Sequence, residues 1–227
     1  MRKKSTYKLK VEHIEAVSNK RAQSLVPMNP AQKNYIECIY RYPQVFVTGP
    51  AGTGKTYIAA SIAAELYAKH QIHKIILTRP NIPAGKSLGF FAGTIEDKIA
   101  PWVVPLTEVL EEKLGKNKYE LAHKRGDIEI VPFEVMRGRS FNNAFVILDE
   151  GQNITPHEMK MFLTRIGEDS KVIINGDISQ HDLKGDSGLQ VAIDLLHKHD
   201  IPAAHCNFTH DDVVRSGICA AWTRAFG

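Results

Sequence analysis

Short apolar runs alternate with amphipathic stretches along this chain, and their spacing predicts strands alternating with helices. Val45-Phe46-Val47, Lys74 to Thr78 and Ala144 to Leu148 are apolar runs of strand length, as expected for strands covered on both faces. Lys171 to Asn175 and Ala204 to Phe208 add two more, and Asp127 to Val131 is a shorter candidate. Between them lie helical spacings. Ala31 to Arg41 places Tyr35, Ile36, Ile39 and Tyr40 on one face, and Tyr57 to Leu66, Pro156 to Ile166 and Gly188 to His197 follow the same period. Asn29-Pro30 reads as an N-cap with proline at the first helical position, and Tyr42-Pro43 closes that helix. The apolar positions from Thr94 through Leu110 predict a helix broken at Pro101 or Pro105. Asp211 is the expected start of a C-terminal helix. This alternation implies an α/β protein with a parallel sheet and helices on both faces.

At 227 residues and 43% hydrophobic content, the chain supports one sizeable domain. Pro27 and Pro30 mark where the core begins, which makes residues 1–26 an arm and 27–227 a single domain. Seven Lys/Arg stand against Glu12 and Glu15 in residues 1–24, leaving a body with 22 basic and 23 acidic residues. Such an arm suits contact with phosphate backbones; a solvated, mobile terminus reads the same way. No apolar run is long enough for a membrane span, and the charged N-terminus lacks the apolar centre of a signal peptide. Cys38, Cys206 and Cys219 are odd in number, without metal-ligand spacing, so a reducing, cytoplasmic setting is expected.

Candidate chemistry is concentrated after the first strand. Gly49-Pro50-Ala51-Gly52-Thr53-Gly54-Lys55-Thr56 fits the phosphate-binding pattern G-x-x-x-x-G-K-[ST], with a strand before it and an alanine-rich helix, starting at Tyr57, after it. Its glycines let backbone N–H groups converge on phosphate at a helix N-terminus. Lys55 is expected to reach the β- and γ-phosphates, and the Thr56 hydroxyl to ligate Mg²⁺. Asp149-Glu150 closes a buried strand. Asp149 is the expected second metal ligand, and Glu150 is placed to deprotonate an attacking water. Asn175-Gly176-Asp177 ends the next strand, with Gln180 close behind as a candidate sensor of the γ-phosphate; a plain glycine turn is the alternative. Arg215 near the C-terminus is either a charge-stabilising arginine, in cis or in trans, or a surface partner of Asp211 or Asp212. Arg79, Arg137 and Arg139 are further candidates for phosphate or nucleic-acid contacts. Asn117-Lys118-Tyr119-Glu120 only faintly suggests a guanine-reading motif, since it ends in Glu and follows no strand.

Taken together these motifs resemble the PhoH family of ATPases, whose nucleotide-binding core is similar to that of superfamily 1 helicases. The resemblance runs from about Pro27 to the C-terminus. It includes Asn29-Pro30-Ala31-Gln32, Leu77-Thr78-Arg79-Pro80, Ala84 to Gly89, Lys98 to Leu106, Arg137 to Phe141, Leu148 to Asn153, Gly176-Asp177 with Gln180, and Asp212 to Arg215. Gly151 stands where the family usually has Ala, Lys86 replaces an acid, Phe91-Ala92 alters a proline-containing turn, and Ser216-Gly217 replaces a His-Pro pair. The resemblance implies a P-loop NTPase with a RecA-like sheet of order 5-1-4-3-2. It also implies ATP and Mg²⁺ as cofactors and Gln32 as the residue that selects adenine, with Gly49 to Tyr57 around the nucleotide. No nuclease-type domain precedes the core, so a compact, minimal version of the family is expected. Because superfamily 1 motors close two such domains on ATP and this chain has room for one, a ring-like, for instance hexameric, homo-oligomer acting on RNA or single-stranded DNA is expected. The rival readings are an ATP-binding regulatory or stress-linked module with little turnover, and a small-molecule kinase. The kinase is disfavoured because Glu150 beside Asp149 suits water activation.

Overall fold

The computed structural model describes residues 25–80, 95–133, 136 and 138–214, with 217, 218, 222 and 225 beyond them; for 95–100 it describes the backbone alone. Six strands form one parallel sheet: β1 (Gln44–Thr48), β2 (Lys74–Thr78), β3 (Ile128–Ile130), β4 (Ala144–Leu148), β5 (Lys171–Gly176) and β6 (Ala204–Asn207). The order is β3-β2-β4-β5-β1-β6. Without the short edge strand β3, this is the 5-1-4-3-2 order expected from sequence. The β-period of two sends alternate side chains to opposite faces. Val45, Val47, Ile75, Leu77, Phe145, Ile147 and Ile173 face one core, whereas Phe46, Ile76, Val146, Leu148, Val172 and Ile174 face the other.

The first core is covered by α1 (Pro30–Arg41), α2 (Lys55–Ala68), α3 (Ile95–Leu114) and α4 (Lys116–Arg125). The second is covered by α5 (Pro156–Leu163), α6 (Gly188–His199) and the side chains of Phe133, Met136 and Phe141. Helix α2 is buried nearly all round, with Ile58, Ala59, Ala60, Ile62, Ala63, Ala64 and Leu66 all inaccessible, which explains its alanine content: small side chains let the sheet and α3 approach from both sides. Asn29 caps α1 as the sequence predicts, its side chain accepting from the Gln32 N–H at 2.8 Å. The other end of α1 is closed from a distance. Lys171, on β5, donates its ammonium to the carbonyls of Ile39 and Tyr42, and burial pulls its pKa down. Lys171→Met is therefore expected to cost about 1–2 kcal/mol, because two helix-end carbonyls lose their donor. An unchanged denaturant midpoint would show that water replaces it.

Two expectations need correction, and one helix is new. Helix α3 is continuous through Pro101 and Pro105. An internal proline costs about 3 kcal/mol, but Val103 between the prolines and Leu106, Val109 and Leu110 beyond them are buried. Each contributes about 1.5–3 kcal/mol, so packing wins. Helix α4 was not anticipated: Lys-Asn-Lys-Tyr-Glu-Leu-Ala-His-Lys-Arg buries only Tyr119 and Ala122, too few to leave a clear period. Asp211 does not open the expected C-terminal helix: His210–Asp212 is a single 3-10 turn, closed by Asp212 accepting from the Thr209 N–H at 2.8 Å, and helical residues come later, at 217, 218, 222 and 225. The long glycine-bearing segment expected at Asn81 to Gly93 lies outside the described residues.

Candidate functional site

The phosphate-binding loop leaves β1 and enters α2 at the C-terminal edge of the sheet, where open α/β sheets bind ligands. Its glycines are needed on two counts. Gly49, Gly52 and Gly54 have φ of 133°, 85° and 89°, and a Cβ on Gly49 would lie 2.4 Å from the Phe208 carbonyl oxygen. The loop is braced from three sides. Gln32 donates to the Thr53 carbonyl at 3.0 Å while its own carbonyl accepts from the Met28 N–H at 2.8 Å. Thr53 donates to the Pro50 carbonyl at 3.0 Å, and the Val214 N–H donates to the Gly52 carbonyl at 3.0 Å. Gln32 thus supports the loop from beneath; adenine reading would fall to its second amide hydrogen and second carbonyl lone pair. Lys55 folds back onto the loop, donating to the carbonyls of Gly49 at 2.6 Å and Pro50 at 2.8 Å.

Strand order brings the second signature to the loop. Strand β5 lies between β1 and β4, and Asp149 follows β4 directly. The Thr56 hydroxyl donates to Asp149 Oδ1 at 3.0 Å. Asn175 Nδ2 reaches the same oxygen at 3.5 Å, and the buried Tyr35 hydroxyl donates to Asn175 Oδ1 at 3.3 Å. Asp149 is almost wholly buried. Burial and the neighbouring Glu150 carboxylate raise its pKa, against the opposing pull of Arg79 and of hydrogen bonds from Thr56 and Asn175.

Glu150 sits at a left-handed φ of 54°, a conformation uncommon outside glycine, which turns the chain sharply after the strand into the 3-10 turn Gly151–Asn153. Gln152, itself buried, donates to Glu150 Oε2 at 2.6 Å and accepts from the Asp177 N–H at 3.0 Å. One carboxamide therefore ties Glu150 to the tip of β5. Asp177 uses one carboxylate oxygen to accept from Ser179, and its Oδ2 is buried without a hydrogen-bond partner among the described residues.

These groups surround one cleft of about 440 Å³, lined by Ala51, Gly52, Gly54, Lys55, Thr56, Tyr57, Arg79, Glu108, Asp149, Glu150, Asp177 and Gln180, among others. Gln180 is exposed there, in the 3-10 turn Ile178–Gln180. Of the arginines singled out in the sequence, Arg79 lines the cleft, and Arg139 is engaged elsewhere with Glu129 and the face of Phe141. Arg137 and Arg215 lie outside the described residues. Gln152 and Asn175 are the supports that motif spacing alone did not assign. Their polar type at the ends of otherwise apolar strands and turns was the available signal.

The chain matches the family model described as PhoH-like protein over residues 24–227. It belongs to the PhoH-like family. The PhoH-like protein of Bacillus subtilis (strain 168) is 44% identical over 214 residues, which cover 93% of this chain and 67% of that one. Protein PhoH of Escherichia coli (strain K12) is 42% identical over 221 residues, covering 95% and 62%. The PhoH-like protein of Mycobacterium tuberculosis (strain ATCC 25618 / H37Rv) is 43% identical over 213 residues, covering 92% and 60%. The chain thus spans roughly three-fifths to two-thirds of these relatives' length. Among solved structures, Pif1 helicase from Candida albicans aligns with a TM-score of 0.43 and 17% identity, over 82% of this chain and 40% of that one. Family membership and the parallel sheet together identify a P-loop NTPase fold. No described helix is long and apolar enough to cross a membrane.

Proposed function

We propose that the chain is a Mg²⁺-dependent ATPase whose turnover is coupled to single-stranded nucleic acid within an oligomer. The observation that carries this reading is the meeting of Lys55, Thr56, Asp149, Glu150 and Gln180 around one cleft, although they come from separate stretches of sequence. Lys55 now spends its ammonium on loop carbonyls, and the β- and γ-phosphates of ATP are stronger, anionic acceptors for it. The amides of Gly49 to Tyr57 add donors at the N-terminus of α2.

The residues fit a divalent cation. Asp149 is buried beside a second carboxylate with the Arg79 guanidinium no nearer than 4.0 Å, and Asp177 Oδ2 in the same cleft has no hydrogen-bond partner among the described residues; buried negative charge that is only loosely compensated is costly. Thr56 and Asp149 would hold Mg²⁺, with phosphate oxygens and waters completing its shell. When bound, the ion neutralises charge that develops on the transferring phosphoryl group. Glu150 takes the proton of the attacking water, held in place by Gln152. Gln180, at the turn after β5, reads the γ-phosphate, and Gln32 favours adenine.

This domain supplies one wall of a nucleic-acid motor cleft, and in this reading a neighbouring subunit supplies the other, with Arg215 acting in trans. The basic arm, residues 1–26, adds contacts to a phosphate backbone. The reading places the protein in the reducing cytoplasm. The test is ATP hydrolysis by the purified chain with and without single-stranded RNA and DNA, alongside native mass. Turnover is expected to rise with polymer at low salt, to lose that stimulation as salt increases, and to belong to a particle heavier than one chain. Full turnover from a monomer would remove the ring. No stimulation by either polymer would favour a regulatory ATP-binding module.

A further inference from the structure

Resting on the reading of the cleft as an ATP site, we infer that Arg79 joins Lys55 and Gln180 at the terminal phosphate and is the cation of this chain's own subunit whose contact distinguishes ATP from ADP. Its position follows from sheet register. Thr78 pairs with Leu148, and the Asp149 N–H donates to the Thr78 carbonyl at 3.0 Å. The residue after Thr78 therefore emerges beside the two carboxylates, and the Arg79 side chain lines the same cleft as Lys55, Thr56 and Gln180.

What marks Arg79 is how little of its donor capacity is used by the described residues. A guanidinium carries five N–H donors in a planar fork. One nitrogen of the fork donates to the Trp102 carbonyl at 3.0 Å. The approaches to Asp149 Oδ2 at 4.0 Å and Glu150 Oε1 at 3.6 Å are too long for charge-assisted hydrogen bonds, which form at about 2.7–2.9 Å. The Nε–H is buried and has no acceptor among the described residues. Trp102 supports the group as well as anchoring it, with the guanidinium 6.0 Å from the centre of its ring. A cation anchored at one nitrogen, loosely held over two carboxylates and facing a phosphate cleft, is arranged to donate to the oxygens of an anion that arrives between them. The terminal phosphate of ATP enters there; ADP leaves that volume to water. A divalent cation held by Thr56 and Asp149 would take up the charge that now draws Arg79 toward Asp149, leaving the guanidinium to the phosphate.

Arginine and lysine differ here in a testable way, because only the fork can hold Trp102 and a phosphate at once. The experiment is equilibrium titration of wild-type, R79A and R79K protein with fluorescent ADP and with a fluorescent, non-hydrolysable ATP analogue, in the presence of Mg²⁺. Melting curves of each variant accompany the titrations. Wild-type protein is expected to prefer the triphosphate. R79A is expected to weaken triphosphate binding about 10- to 100-fold, the range for a hydrogen bond to a charged group, while ADP affinity moves less than about twofold. R79K should fall between them, and it carries the test alone if R79A melts below the assay temperature. Equal losses for both nucleotides, or an unchanged preference in the variants, would assign Arg79 a structural role and overturn the inference. A wild-type protein with no triphosphate preference would overturn it too. Wild-type protein that binds neither nucleotide would instead remove the ATP-site reading, and the inference with it.

Discussion

Glu150→Gln is expected to leave ATP binding intact and to slow hydrolysis about 10²- to 10⁴-fold, the range of a lost general base. The substitution suits its purpose because the carboxamide matches the carboxylate in size. Its carbonyl oxygen still accepts from Gln152, which now donates to Glu150 Oε2 at 2.6 Å, so the left-handed turn at position 150 keeps its tether. What is lost is basicity. Single-turnover hydrolysis measured beside nucleotide affinity separates the two. Unchanged turnover would refute the base assignment, whereas lost affinity would show that Glu150 organises the loop. Gln152→Ala supplies the complementary case. It frees Glu150 and also leaves the Asp177 N–H without its acceptor, so turnover should fall by less than in Glu150→Gln while melting temperature falls by more.

The parts of this site that were legible in sequence are those written locally. The strand, loop and helix around Lys55 are contiguous, and Asp149-Glu150 ends an apolar run whose length alone marks a buried strand. Asn29 and Pro30 announced the start of α1 through backbone chemistry that involves no distant partner. Other features depend on which strands become neighbours. Arg79 stands beside Asp149 because Thr78 pairs with Leu148, and Gln152 reaches Asp177 because β5 lies next to β4. No spacing in the chain states either fact. Helix α4 was hidden for a different reason: Tyr119 and Ala122 are all it buries, and its glycine-bounded ends carry more signal than its faces. Proline in α3 misled in the opposite direction, since local cost was overridden by burial of Leu106 and Leu110.

Asp149→Asn is expected to raise the stability of the nucleotide-free protein and to lower turnover at least about a hundredfold. The first effect follows from its burial. Removed from water and set beside Glu150, the Asp149 carboxyl holds its proton to higher pH in the folded chain than in the unfolded one. The folded state therefore binds more protons between the ordinary carboxylate pKa and the raised one, so stability falls as pH rises through that window. Above it the penalty is complete; below the ordinary value both states are protonated and the penalty vanishes. Asparagine carries no charge at any pH, and its carbonyl can still accept from Thr56. The melting-temperature gain of Asp149→Asn over wild type should thus be largest at neutral and alkaline pH and shrink toward the ordinary carboxylate range. A gain independent of pH would mean that the charge is not its source. Mg²⁺ with nucleotide should reverse the ranking, because a bound ligand stabilises only the chain that can hold it. The wild type would then melt above the variant, and a variant that kept its lead under those conditions would remove Asp149 from the metal site. A carboxylate that weakens the empty fold and strengthens the loaded one is what a site built for a cation requires.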